Sequence, residues 1–209
     1  AVALESGRAT QLRISRALPF LAAFGITHGI NEWVEMFSMI SAHIPTLLQE
    51  PQWAEMIKLA WKALSFYFLL EFGARLLSQL VPEHNRFLRW LPKLVIFSYL
   101  IGSVAMYLYA RPAEYPQPGL VSMWTNYALG IPASLLAVIA MVAQRRVFVR
   151  DNMPQFGRDL VGAALSLGWY SLLDQVIDEP TFIFPANILN ADVFLRTVGI
   201  PVELFRTVA

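Results

Sequence analysis

The chain has 209 residues, of which 56% are hydrophobic and 15% are charged, and its net charge at pH 7 is +1. Soluble domains average about 25% charged residues, so the composition argues against a water-soluble fold and favours a membrane protein. The sequence contains no cysteine, which excludes disulfide bonds and thiolate metal sites.

Five apolar stretches approach the roughly 20 helical residues that are needed to cross the hydrocarbon core of a bilayer. In chain order they lie at about 17–40, 59–81, 91–111, 121–144 and 160–177, and a sixth begins near Pro201. The first residues are typical of the end of a preceding helix, so we expect truncated helices at both ends and about seven spans in the parent protein. The predicted fold class is all-α: a polytopic transmembrane helix bundle in which residues 1–209 form a single integral membrane domain.

Basic residues are concentrated in alternate connectors between these stretches. These connectors hold Arg8, Arg13, Arg16, Arg86, Arg89, Lys93, Arg145, Arg146, Arg150 and Arg158. Cytoplasmic connectors of membrane proteins are enriched in arginine and lysine, so we expect these segments and the C-terminus to face the cytoplasm. The expected location is the bacterial inner membrane, with the lipid bilayer as a partner.

The first span carries the strongest local pattern, the segment His28-Gly29-Ile30-Asn31-Glu32-Trp33-Val34-Glu35. His28, Glu32 and Glu35 are spaced so that they share one face of a helix. An ionisable side chain in hydrocarbon costs at least about 2.5 kcal/mol on insertion scales, so this stripe requires a partner, a cavity or a function. Gly25 and Gly29 on the same span predict the close approach of a neighbouring helix.

Polar residues of three other spans lie at the same predicted depth, in the outer half of the membrane. Lys62 of the second span is a candidate counter-ion for Glu35 or Glu32. Because four helices contribute, we predict a ligand-binding site that opens to the outer surface. Its candidate residues are His28, Asn31, Glu32, Glu35, Lys62, Asn126, Trp169, Tyr170 and Asp174. The alternative is that these groups form only interhelical hydrogen bonds, which are worth about 0.6 kcal/mol each.

A metal ion is one form of this hypothesis, since His28, Glu32 and Glu35 offer one nitrogen and two carboxylates. Carboxylate sites in bundle cores generally need matching residues from other helices, and the fifth span adds only Asp174. A haem is not expected, because His28 is the only histidine within a predicted span. The sequence defines no other cofactor.

Two further features are candidates for coupling the outer site to the cytoplasm. Glu71 and Arg75 are expected to form an intrahelical ion pair on the second span, and a residue that changes partner during signalling is the alternative. Gly199 and Pro201 break the chain before the last span, where proline suits the first helical turn. The connector before them is apolar and is expected to pack against the helix ends through Phe182, Phe184, Phe194 and Leu195.

Two segments resemble the N-terminal multi-span membrane regions of bacterial signalling proteins. Residues 23–33, AFGITHGINEW, are similar to a helix motif of those regions. Residues 184–190 and 199–206, FPANILN and GIPVELFR, are similar to the element before their last helix. In such proteins the membrane region precedes cytoplasmic PAS, histidine kinase or diguanylate cyclase modules. The resemblance implies a sensory domain whose partners are signalling modules of the same parent chain.

The function that agrees with both the residues and the resemblance is that of an input domain. It would detect a small ligand, a cation or a state of the membrane in the outer half of the bundle. The chain itself is not expected to be an enzyme, because no catalytic or nucleotide-binding motif is present. A homodimer is compatible with this function, and nucleic-acid binding is not expected. The alternatives are a transporter or proton-conducting subunit and a structural subunit of a membrane complex.

Overall fold

The structure is a computed structural model that describes residues 13–42, 52–109, 117–176 and 184–200, together with Val202 and Phe205. This part of the chain is almost entirely helical and contains no β-strand, which confirms the all-α prediction. Its α-helices are α1 (Leu18–Ala42), α2 (Gln52–Ser78), α3 (Asn85–Tyr109), α4 (Gln117–Thr125), α5 (Ile131–Arg150), α6 (Pro154–Ser171) and α7 (Ala191–Val198). Two π-helical segments continue these helices: π1 (Asn126–Gly130) joins α4 to α5, and π2 (Leu172–Val176) follows α6.

Helix α2 is the centre of the bundle. It packs against α1, α3 and α5, and α5 packs in turn against α6. Helices α2 and α5 run parallel, because Phe66 lies next to Gly130 and, one heptad further along both helices, Gly73 lies next to Ala137. The alanine-rich face of α5 presents little side-chain volume at this contact, which lets the two backbones approach closely.

One end of the bundle, called the basic end below, collects the arginine-rich connectors. Helix α1 is antiparallel to α2, since the Arg75 guanidinium lies 4.0 Å from the Phe20 ring centroid near one end and Lys58 donates to Ser38 near the other. Helix α6 is antiparallel to α5, because Gly157 at the start of α6 lies beside Arg145 near the end of α5. The N-termini of α1 and α6 therefore lie at the same end as the C-termini of α2 and α5.

Each of the five predicted spans coincides with a described helix, although the ends differ. Helix α2 begins at Gln52, ahead of the predicted start of the second span near residue 59. An ion pair between Glu55 and Lys58 lies there. Because these two charged side chains pair with each other within the first turns of α2, the helix continues into the apolar stretch without a break.

By length and mean hydropathy, two of the described helices could cross a membrane. They are Asn85–Met106, with a mean hydropathy of 1.3, and Gly119–Arg150, with a mean hydropathy of 1.8. Polar residues such as His28 in α1 and Lys62 in α2 lower the hydropathy of those helices. The five-span topology therefore stays a prediction, and the start of the last predicted span, Pro201, lies outside the described residues.

The apolar core lies between α2 and α5. Its largest fully buried side chains on α2 and π1 are Phe66, Leu69, Leu70, Phe72, Leu76 and Leu129. Gly25 and Gly29 do not contribute to it, since no neighbouring atom lies within 4 Å of a β-carbon built at either position. The prediction of close helix approach at this pair is wrong, because α1 turns its His28 face inward and leaves these glycines outside the tight contacts.

Residues 184–200 form a small unit around α7 that packs on the bundle. The Asn190 side chain accepts a hydrogen bond from the Val193 amide at 3.0 Å and caps the helix N-terminus. The helix ends at Gly199, whose φ of 78° is left-handed, so a break at this position agrees with the prediction. Ala186 is buried against Leu120 and Met123 of α4, at the start of the continuous helical segment formed by α4, π1 and α5.

The predicted packing of this apolar segment is only partly correct. Phe194 packs edge-on against Phe205, with ring centroids 5.5 Å apart. Phe184, by contrast, is 73% exposed and Leu195 is 45% exposed, so the expectation that both pack against the helix ends is wrong. The contacts with the bundle are made by Ala186, at Leu120 and Met123, and by Phe194, at the cluster that contains Leu173 of π2, while Phe182 lies outside the described residues.

Candidate functional site

His28 lies at the centre of a buried polar cluster between α1, α2 and α6. Its Nδ1 atom is 3.1 Å from the Ser65 hydroxyl of α2, and its Nε2 atom is 3.1 Å from the Tyr170 hydroxyl of α6. The rings of Phe24, Phe66 and Tyr170 surround the imidazole at centroid distances of 4.9, 5.4 and 5.9 Å. One histidine thus joins three helices through both ring nitrogens in an aromatic environment.

These hydrogen bonds define the tautomer of a neutral His28 ring. The Ser65 hydroxyl donates its proton to the carbonyl oxygen of Lys62 at 2.7 Å, so it accepts from His28 Nδ1–H. A neutral imidazole then offers Nε2 as its acceptor, and the Tyr170 hydroxyl donates to it. The bonds therefore run in one direction from α6 through α1 to α2. Removing any member changes the bonding on the other helices.

Two carboxylates form the outer rim of this cluster. Glu35 accepts a hydrogen bond from the Asn31 amide at 2.9 Å and lies 4.0 Å from the Lys62 ammonium. The Lys62 side chain is only 8% exposed, compared with 34% for Glu35, so the cation is the more deeply buried member. Glu32 lies 3.8 Å from His28 Nε2 and is 42% exposed. The predicted pairing of Lys62 with an acidic residue of the first span is confirmed for Glu35.

The Lys62–Glu35 pair is expected to contribute little to stability, because the atoms are 4.0 Å apart and Glu35 is one-third exposed. Such pairs are worth about 0–1 kcal/mol. A double-mutant cycle with Lys62→Met and Glu35→Gln, measured by detergent-induced unfolding, should therefore give a coupling energy below about 1 kcal/mol. A coupling energy of about 3 kcal/mol, typical of a tightly held buried pair, would contradict this expectation.

The segments π1 and π2 contact each other and carry a second set of buried polar side chains. Asn126, Asp174 and Gln175 are all buried, and the Gln175 amide donates to the Ser134 hydroxyl at 3.0 Å. A β-carbon at Gly130 would lie 2.9 Å from the side chain of Gln175, so this approach requires glycine. Single π-turns within α-helices are rare and occur frequently at functional sites.

The structure brings most of the predicted site residues together. One cluster contains His28, Asn31, Glu35, Lys62 and Tyr170. Asn126 and Asp174 are buried in the π-helical segments, and Glu32 lies at the rim. Trp169, in contrast, is 48% exposed and lies on the outer surface of the bundle. Its inclusion in the site is not supported, because its neighbour Tyr170 occupies the inward position.

A metal site at His28, Glu32 and Glu35 receives no support from the geometry. Within the described ranges, no group of three or more His, Cys, Asp or Glu side chains is arranged to hold a metal ion. Both nitrogens of His28 face hydroxyl groups, and Glu35 is turned toward Asn31 and Lys62. Two of the three proposed ligands, His28 and Glu35, are therefore engaged by side chains outside the proposed ligand set.

The part of α2 toward the basic end carries the predicted ion pair between Glu71 and Arg75. Arg75 Nε lies 2.8 Å from one carboxylate oxygen of Glu71, and the Tyr67 hydroxyl donates to the other at 3.0 Å. Arg75 also covers the ring of Phe20 of α1. The intrahelical pair is confirmed, and it links α2 to α1 at the basic end.

Sequence reasoning missed Ser65 and Ser134, although both are nearly fully buried and bonded to site residues. Small hydroxyl residues are common in helix contacts of every kind, so no spacing pattern distinguishes them. Comparisons of the chain with protein-family models, with curated proteins and with solved structures give no match. The geometry of the His28 cluster is therefore the main guide to function.

Proposed function

We propose that the chain is a membrane-embedded helical input domain of a bacterial signal-transduction protein. The supporting observation is that the bundle exposes many large apolar side chains and yet buries polar and charged ones, including His28, Lys62, Glu71 and Asp174. Large apolar side chains face outward, and on α3 these are Phe87, Trp90, Leu94, Phe97, Leu100, Ile101, Val104 and Leu108. Monomeric soluble proteins rarely expose apolar surface of this extent, whereas helices that face lipid do so.

The proposed topology is multi-pass in the inner membrane, with the basic end in the cytoplasm. Arginine and lysine are enriched on the cytoplasmic side of membrane proteins. This end combines Arg16, which lies just before α1, with Arg75 of α2, Arg89 of α3 and Arg146 of α5. The His28 cluster then lies in the outer half of the bundle, because Lys62 and Glu35 are nearer the opposite end.

In this proposal the His28 cluster is the element that responds to the stimulus. A small ligand, a cation or a change of the membrane can act only by stabilising one helix arrangement more than another. His28 is hydrogen-bonded to α2 and α6 at once. If His28 replaces its bond to Ser65 or to Tyr170 with a bond to another group, both helices move. The shift would pass through α6, through the break at Gly199 and Pro201, and through the Glu71–Arg75 pair to cytoplasmic modules of the parent chain.

Spin-label distances can test this response directly. The native chain has no cysteine, so labels at Val34→Cys and Leu172→Cys, both exposed positions on α1 and π2, will be specific. In nanodiscs, we expect protons, sodium ions or a thinner bilayer to change the distance by about 1–2 Å, the usual size of helix shifts. His28→Phe should abolish the change.

Two results would contradict the proposal. One is an unchanged distance under all three stimuli, and the other is an equal change in wild type and His28→Phe. Proton or sodium flux into proteoliposomes that depends on Glu35 would instead favour the transporter alternative. That alternative requires a continuous polar path, and buried Glu71 and Gln144 toward the basic end are its candidate continuation.

A further inference from the structure

A cavity of about 490 Å³ opens at the basic end, beside the N-terminus of α1 and between α2 and α3. Its walls carry four basic side chains, Arg16, Arg75, Arg89 and Lys93, and one carboxylate, Glu71. Glu71 is bound to Arg75 at 2.8 Å. The other three cations form no ion pair within the described part of the chain. The cavity therefore has an excess of positive charge, which suits a phosphate group.

Gln79 adds a polar group to the same wall. Its side-chain oxygen is buried and has no hydrogen-bond partner among the described residues. Buried polar groups in folded proteins are nearly always hydrogen-bonded, and this oxygen can accept a hydrogen bond from a ligand in the cavity. A hydroxyl group close to a phosphate, as in a glycerol headgroup, would provide one.

An apolar groove of about 760 Å³ continues from this cavity along α2, α3 and α4. Lys93 lines both the cavity and the groove. The apolar wall includes Leu59, Ala63, Ile96, Phe97, Leu100 and Val121. From Lys93 to Ser103, both of which line the groove, α3 rises about 15 Å at 1.5 Å per residue. That length is half of a hydrocarbon core of about 30 Å, which is the reach of one acyl chain. On α2 the groove extends to Ala63 and Leu59, on either side of Lys62, so the end of the acyl chain passes the middle of the bundle.

We infer that the cavity and the groove together bind one anionic glycerophospholipid of the cytoplasmic leaflet. Its phosphate lies among Arg16, Arg89 and Lys93, and one acyl chain lies in the groove between α2 and α3. A soluble phosphate would fill the cavity and leave the apolar groove without an occupant, whereas a lipid uses both. The inference rests on the membrane placement proposed above, but it does not depend on the response of His28.

Binding of phosphatidylglycerol and phosphatidylcholine to the extracted protein, measured by native mass spectrometry, tests the charged half of the site. Arg16→Gln combined with Arg89→Gln should weaken phosphatidylglycerol binding about 10- to 30-fold, since each basic group near an anionic headgroup contributes a factor of about five. The matched control is Arg146→Gln combined with Arg158→Gln. These arginines are exposed at the same end but do not line the cavity, so the control should change binding less than about threefold.

Ala60→Trp tests the apolar half of the site. Ala60 is exposed and lines the groove, so a bulky ring there should weaken phosphatidylglycerol binding about tenfold and leave glycerol 3-phosphate binding unchanged. Glycerol 3-phosphate binding as tight as that of the lipid, with no effect of Ala60→Trp, would assign the cavity to a soluble phosphate and overturn the inference.

Equal binding of the two lipids, or equal loss in the two double variants, would also overturn the lipid site. Both outcomes leave the proposed input function intact if the spin-label response to stimulus persists. Failure of the protein to remain with membranes after carbonate washing would count against the proposed function instead. Circular dichroism and size-exclusion chromatography of each variant establish that it is folded before its binding is compared.

Discussion

Replacing His28 with alanine is expected to lower the free energy of unfolding by about 2–4 kcal/mol. The change removes a ring that stacks on Phe24 and leaves a cavity between α1, α2 and α6. It also leaves the hydroxyls of Ser65 and Tyr170 without the partner they share. Detergent-induced unfolding followed by circular dichroism measures the loss.

The matched variant His28→Phe separates packing from polar function. It keeps the volume and aromatic contacts of the ring and removes only the two interhelical hydrogen bonds, which are worth about 0.6 kcal/mol each in membranes. We therefore expect a destabilisation of about 1 kcal/mol together with complete loss of the spin-label response. A variant that responds like the wild type would mean that the cluster serves packing alone.

Gly73→Val is expected to be the most disruptive change in the contact between α2 and α5. A β-carbon at this position would lie 2.8 Å from the backbone nitrogen of Ala137 and 2.9 Å from the backbone carbon of Leu136. Backbone atoms cannot move aside as side chains do, so the helices must separate. We expect a loss of about 3 kcal/mol in the same unfolding assay, at the upper end for overpacked cores.

Gly25→Val on α1 is the control for helix propensity. No neighbouring atom lies within 4 Å of a β-carbon at Gly25, so the same substitution should change stability by less than about 0.5 kcal/mol. Equal effects at Gly25 and Gly73 would contradict the close contact between α2 and α5 at Gly73.

Residue depth along the bundle could be predicted from the sequence. Once the apolar stretches and basic connectors assign alternating directions to the helices, the rise of 1.5 Å per residue places Lys62 opposite Glu35. The same geometry places Glu71 one turn from Arg75 on a single helix. Both contacts are present, because they depend only on direction and helical rise.

Helix rotation about its own axis could not be predicted in the same way. When lipid and core are both apolar, hydropathy does not tell an inward face from an outward face. Gly25 and Trp169 were therefore expected inside and lie outside, whereas Ser65 was missed. The π-helical segments shift the facing of the residues that follow them. Gly130 and Pro132 lie at and just after the end of π1, but residues 160–177, which include π2, contain no proline that marks the second turn.

The central claim is that the basic end of the bundle faces the cytoplasm and that the His28 cluster lies in the outer half of the membrane. The most direct test is to label single cysteines in intact cells with a maleimide that does not cross the membrane. Suitable exposed positions are Glu83 and Gln155 at the basic end and Asn187 at the opposite end. We expect Asn187→Cys to be labelled in intact cells, and Glu83→Cys and Gln155→Cys only after the membrane is permeabilised. Labelling of Glu83→Cys and Gln155→Cys in intact cells would contradict the topology and, with it, the proposed position of the site.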